Sequence, residues 1–154
     1  MLAAIRPSDW NFPLLLHVLG AMLLVGGLVT GVTALILGWR RDSAFYSRFG
    51  FRALLFVAFP AWWLMRIAAE WIYSKENLAE DPTWVGIGYI TSDAGGLLLL
   101  ITLILTGIGA RRLRRADGSG GGGSNLLVRI GTVLASLVLV TYLVTMWAMS
   151  AKPG

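Results

Sequence analysis

"LLLHVLGAMLLVGGLVTGVTALILG", residues 14–38, contains one ionisable side chain, His17, in an otherwise apolar run. A helix needs about 20 apolar residues, with a range of about 17–25, to cross the hydrocarbon core of a bilayer. The stretch therefore reads as a transmembrane helix. Three more runs have the same character: 53–73, 89–110 and 126–149. The chain of 154 residues is 56% hydrophobic and 14% charged, with a mean hydropathy of +0.72. A soluble domain this short needs more polar surface to cover its core. The expected fold is an all-α membrane protein: one integral membrane domain over 1–154, built as a four-transmembrane-helix antiparallel bundle with short loops.

The first run is too long for the apolar region of a cleaved signal, and no small-residue cleavage site follows it. Ahead of it stands "WNFP", residues 10–13. There Trp10 and Phe12 suit the headgroup zone, and Pro13 suits a first helical turn.

Charge sets the expected orientation. Arg40, Arg41, Arg48 and Arg52 lie between runs one and two, and Arg111, Arg112, Arg114, Arg115 and Arg129 lie around the junction of runs three and four. The loop 74–92 is acidic, with Glu76, Glu80 and Asp81 against Lys75. By the positive-inside rule both termini and that loop lie outside, and the arginine-rich loops are cytoplasmic. This layout suits a bacterial cytoplasmic membrane. Topology accounts for the net charge of +5, so no nucleic-acid partner is needed. The lipid bilayer is the expected partner, its anionic headgroups gaining about 1 kcal/mol from each nearby arginine. "ADGSGGGGSN", residues 116–125, reads as a flexible cytoplasmic linker; its glycines do not match a phosphate-loop spacing.

Helix one carries a stripe. Gly20, Gly27, Gly31 and Gly38 fall within about 20° of one direction at 100° per residue. Small residues let membrane helices approach closely, so the stripe predicts packing inside the bundle, with dimerisation as the alternative. His17 lies about 60° from it and should face protein. "LGWRR" and "IGARR" end helices one and three, a short echo compatible with an old duplication.

Polar residues inside the apolar runs are the candidate site, because an ionisable group within a membrane costs at least about 2.5–3.5 kcal/mol. "AWWLMRIAAEWIY", residues 61–73, holds Arg66 and Glu70 four residues apart, a spacing that allows an ion pair along a helix. Phe59, Trp62, Arg66, Glu70 and Tyr73 share a face within about 80°. The pair is expected to face helix one or helix four. Trp62 is positioned to offer its ring to the guanidinium, and Pro60 to kink the helix below. His17, Asp93 at the opening of helix three, and Thr141, Tyr142 and Thr145 in helix four fall at similar depth. Turned inward, they would form an outward-facing polar pocket, covered by the loop that contains Trp84. The candidate ligand-binding residues are thus His17, Trp62, Arg66, Glu70, Asp93 and Tyr142. Each also has a structural reading: snorkelling for Arg66, neutralisation for Glu70, a helix cap for Asp93, and a satisfied core histidine for His17.

"LLLHVLGAMLLVGGLVTG", residues 14–31, resembles the first helix of small bacterial membrane proteins of the copper-resistance-D-like group. That group includes haem b-binding membrane oxidases and many four-helix proteins. The resemblance implies a helical membrane bundle and makes His17 the candidate haem or copper ligand. His17 is the only histidine here. A haem would then need His/Met ligation by Met22, Met65, Met146 or Met149, or a second histidine from a two-fold dimer. No other metal site is expected.

With no cysteine, thiolate catalysis, disulfides and iron–sulfur clusters are excluded. No Ser–His–Asp set, HExxH motif or paired-carboxylate signature can be placed, so an independent enzyme is not expected. The expected function is a non-catalytic membrane protein that binds a small polar or anionic ligand, or serves as an accessory subunit of a homo-oligomer or larger membrane complex. A haem-associated electron-transfer or oxidoreductase subunit using His17 is the alternative. An oligomeric channel or transporter is the third reading.

Overall fold

The computed structural model describes residues 11–76, 83–117 and 126–151. Trp10, Glu80, Asp81 and the glycine tract at 118–125 fall outside these. The described residues form helices and no strand: α1 (Asn11–Arg40), α2 (Ala44–Ala53), a π-helical turn (Leu54–Ala58), α3 (Phe59–Glu76), α4 (Thr83–Asp117) and α5 (Leu126–Ala151). The segment from α2 through the π turn to α3 is continuous, so the chain has four helices long and apolar enough to cross a membrane.

The helices outrun the apolar stretches that announce them. The second starts at Ala44 instead of 53, and the third starts at Thr83 instead of 89 and reaches Asp117. Hydropathy marks the part of a helix that fits hydrocarbon, whereas backbone hydrogen bonding continues past it into polar residues. Two expectations fall as a result. Asp93 does not open helix three, since α4 begins ten residues earlier. Trp84 belongs to the first turn of α4, not to a covering loop.

Pro60 does not simply break its helix. It has no N–H to donate to the preceding turn, and the helix absorbs the defect as the π turn just before it, where the Phe59 N–H reaches the Leu54 carbonyl.

The glycine stripe of α1 is where the second span docks. A Cβ on Gly20 would stand 2.7 Å from the Met65 backbone nitrogen, and one on Gly27 would stand 2.8 Å from that of Ala58. At the other end of α1 a Cβ on Gly38 would meet the Ser47 hydroxyl at 2.4 Å. The stripe thus faces its own bundle, the packing mode expected for small residues in membrane helices. The core around it is Leu24, Leu28, Leu54, Leu99, Val128 and Val138, all buried. α1 also packs on α5, and the most extensive helix packing is between α4 and α5. The second span meets α4 closely through α2. Beyond the π turn α3 leans on α1 and touches α4 at only a few places. This leaves a wedge between α3 and α4.

At the opposite end of the bundle from that wedge the arginines gather, with the Arg129 guanidinium 5.5 Å from the Trp39 ring. α1 ends there in a Schellman-type turn: the Ser43 N–H reaches the Gly38 carbonyl at 3.0 Å, and Asp42 adopts φ 47°. A left-handed residue other than glycine is strained by about 1 kcal/mol. Asp42→Gly is therefore expected to raise stability by several tenths of a kcal/mol in a thermal melt, and a drop would show that the aspartate side chain is needed at this turn.

Candidate functional site

The wedge between α3 and α4 holds three charged side chains of the spans, Arg66, Glu70 and Asp93. Arg66, on α3, has a side chain only 19% exposed. It donates through Nη1 to the Glu70 carboxylate one turn along and through Nε to Asp93 Oδ1 on α4 at 2.9 Å. Its guanidinium carbon also sits 4.6 Å from the centre of the Tyr89 ring. The expected Arg66–Glu70 pair is present, but it turns toward the third span and not toward the first or the fourth. The aromatic partner is Tyr89 and not Trp62. One cation meets two anions, so the cluster carries a formal charge of −1. Both carboxylates keep more than half of their side-chain surface exposed, 54% for Glu70 and 60% for Asp93.

Trp62 has a different task. Its indole Nε1 donates to the Ser92 carbonyl at 3.1 Å, and from α5 the Tyr142 hydroxyl donates to the same oxygen at 3.2 Å. The "GG" at 95–96 makes this double contact possible. A Cβ on Gly95 would lie 2.7 Å from the Tyr142 hydroxyl oxygen, and one on Gly96 would lie 2.2 Å from Trp62 Cζ2. Without side chains there, α3 and α5 both bring an aromatic donor against one turn of α4. A carbonyl oxygen has two lone pairs and can accept more than its own helical bond. Beside this knot, Tyr89 Oη and Ser92 Oγ are buried without a hydrogen-bond partner among the described residues. Buried polar groups are satisfied in the large majority of cases, so the Ser92 hydroxyl marks the place, while the Tyr89 hydroxyl lies beside Glu70 and Arg66.

Below Asp93 the wedge is a groove of about 340 Å³. Phe59, Trp62 and Trp63 form one wall, and Gly96, Leu97 and Leu100 form the other. Asp93 is its one charged lining residue. Trp62 is held between neighbours, stacked on Phe59 at 6.3 Å and edge-on to Trp63 at 4.7 Å. Trp63, Leu97 and Leu100 are exposed, so the groove opens sideways. The inward polar pocket expected from sequence is thus replaced by a charged cluster at the head of an apolar groove.

The remaining candidates stand apart from it. His17 Nδ1 lies 3.1 Å from the Met65 carbonyl, so the histidine bonds across α1 to α3, one residue from Arg66 in sequence but outside the groove lining. Thr145 donates to the Thr141 carbonyl of its own helix. Among the possible sulfur partners for a haem on His17, Met22 and Met146 are exposed, and Met65 meets the imidazole through its carbonyl. The Met149 side chain lies outside the described residues. Among the described residues the one hydrogen-bonding contact shown for His17 is thus the Met65 carbonyl, and the groove at Asp93 does not include the histidine. A haem on His17 would therefore draw its second ligand from a two-fold dimer. Among the described residues no group of three or more His, Cys, Asp or Glu side chains is suited to a metal ion.

Ser92, Tyr89, Gly95 and Gly96 are the residues that sequence reasoning passed over. The signal available was "SDAGG", residues 92–96, in which two glycines one turn after a serine strip the cover from its carbonyl. Compared with family models, with curated proteins and with solved structures, the chain matches none.

Proposed function

We propose that the chain is a non-catalytic protein of the bacterial cytoplasmic membrane, with both termini outside, whose Arg66–Glu70–Asp93 cluster binds a small polar ligand at the outer face. The gathering of arginines at the far end supports this orientation through the positive-inside rule. An aromatic collar supports placing the cluster near an interface: Phe12 meets Trp71, and Tyr73 meets Tyr89.

One observation carries the reading. Two half-exposed carboxylates from different spans converge on one arginine and leave a charge of −1. The preferred ligand is therefore a cation or a strong hydrogen-bond donor, the opposite of the anion suggested by Arg66 alone. A catalytic reading draws no support, since the hydroxyl next to Asp93, Ser92 Oγ, makes no hydrogen bond to a base among the described residues. A channel through one chain draws none either, because Leu24, Leu28, Leu99 and Val138 fill the bundle centre.

The test is ligand-dependent melting of the purified protein in an uncharged detergent. Ethanolamine and guanidinium should raise the melting temperature, whereas acetate and phosphate should not. At about 100 times Kd the gain is about 2.7 kcal/mol, or several degrees. The same shift in Asp93→Asn Glu70→Gln would sink the proposal.

A further inference from the structure

We infer that the ligand is a membrane lipid with an ammonium headgroup, its head on the Asp93–Glu70 carboxylates and one chain in the groove between α3 and α4. This rests on the function proposed above and names the class of molecule. Asp93 joins the two halves: it holds Arg66 at 2.9 Å and is also the charged residue that lines the groove. A free small cation would have no use for the apolar wall below it. An amphiphile uses both.

The shape selects among amphiphilic partners. The groove runs from Asp93 to Leu100 on α4, about 10 Å at 1.5 Å per residue. Its volume is about 340 Å³ and one side of it is open. A transmembrane helix, about 10–12 Å across with its side chains, would lie over the open side and leave the groove beneath it unfilled. An alkyl chain fits. The opening is lateral, past the exposed Trp63, Leu97 and Leu100, where a lipid can slide in from the bilayer without leaving it. Sign selects the head. The cluster is −1, so an ammonium is drawn to it and a headgroup carrying only negative charge is repelled. Next to Asp93, Ser92 Oγ is buried without a hydrogen bond among the described residues and adds a polar group at the head of the groove.

The experiment uses the full chain in nanodiscs of equal parts phosphatidylethanolamine and phosphatidylglycerol. In one preparation the ethanolamine lipid carries brominated chains, and in the other the glycerol lipid does. Bromine quenches tryptophan on contact, so the part of the difference between the preparations that Trp63→Phe removes reads which lipid lies against Trp63, apart from the other exposed tryptophans Trp39, Trp71 and Trp147. We expect the ethanolamine lipid to occupy the groove about fivefold over its share, the factor for one charge pair near a wet surface. The excess should vanish in Asp93→Asn. It should also fall in Trp63→Phe, which takes the reporter out of the groove wall and keeps an aromatic ring there. If no excess appears while free ethanolamine still raises the melting temperature through Asp93, the lipid inference is wrong and the proposed function stands. If neither effect appears, both fall. Excess quenching by the glycerol lipid would overturn the charge argument. A second protein co-purifying in equal amount and shielding Trp63 would show that the groove belongs to a partner helix instead.

Discussion

Gly27→Val is expected to lower stability by about 3 kcal/mol or more, while Gly26→Val, one residue away, leaves it within about 0.5 kcal/mol. The two glycines differ in what a side chain would meet. At Gly27 the first added carbon would stand 2.8 Å from the Ala58 backbone nitrogen and 3.1 Å from its Cα. Backbone cannot swing aside as a side-chain end can. The whole of α1 would have to move off the second span, and the packing of Leu24, Leu28 and Leu54 would open with it. Overpacking in a tight core costs about 1–3 kcal/mol, and forced separation of two helices adds to that. At Gly26 nothing lies within 4 Å of the same carbon, and the residue faces outward. Denaturation by titrated dodecyl sulfate, followed by helical circular dichroism, compares the two. Equal losses would mean that α1 is held by something other than close approach along its stripe.

That stripe was legible because its physics is local: four small residues on one side of one helix need a neighbour's backbone, whichever neighbour it is. The Arg66–Glu70 contact was legible for the same reason, since the i,i+4 spacing brings the two together before any partner is chosen. Asp93 was not legible as the third member. Which faces of α3 and α4 meet depends on the rotation of each helix about its axis. In a soluble protein an amphipathic stripe sets that rotation. Here α1, α4 and α5 are apolar on most sides, so periodicity barely constrains it. The rotation is fixed instead by steric detail such as the bare turn at Gly95–Gly96, where Trp62 and Tyr142 seat against α4. The start of α4 is hard to read from sequence for a related reason. "YITSD", residues 89–93, reads as the polar edge of a span, yet its backbone bonds are helical and its side chains take part in the cluster.

Arg66→Met should destabilise the bundle by about 2 kcal/mol, between the ~1 kcal/mol of an exposed ion pair and the 3–5 kcal/mol lost when a buried charge is stranded. The intermediate value follows from the geometry, a largely covered arginine between two carboxylates that are each more than half exposed. Removing the cation leaves Glu70 and Asp93 to repel each other beside an apolar groove. Removing one anion does much less harm. In Glu70→Gln the arginine keeps Asp93, so the loss should stay near 0.5 kcal/mol, and Asp93→Asn should cost more because it also unties α3 from α4. The order of the double variants then decides whether the three residues act as one unit. Arg66→Met Asp93→Asn should be more stable than Arg66→Met alone, with a coupling of about 1 kcal/mol, because neutralising Asp93 ends the repulsion that loss of the arginine created. A similar but smaller recovery is expected for Arg66→Met Glu70→Gln. Coupling near zero in both cycles would mean that each side chain reaches water independently. The net charge of −1 would then no longer act at a single point, and the preference for a cationic ligand would lose its basis.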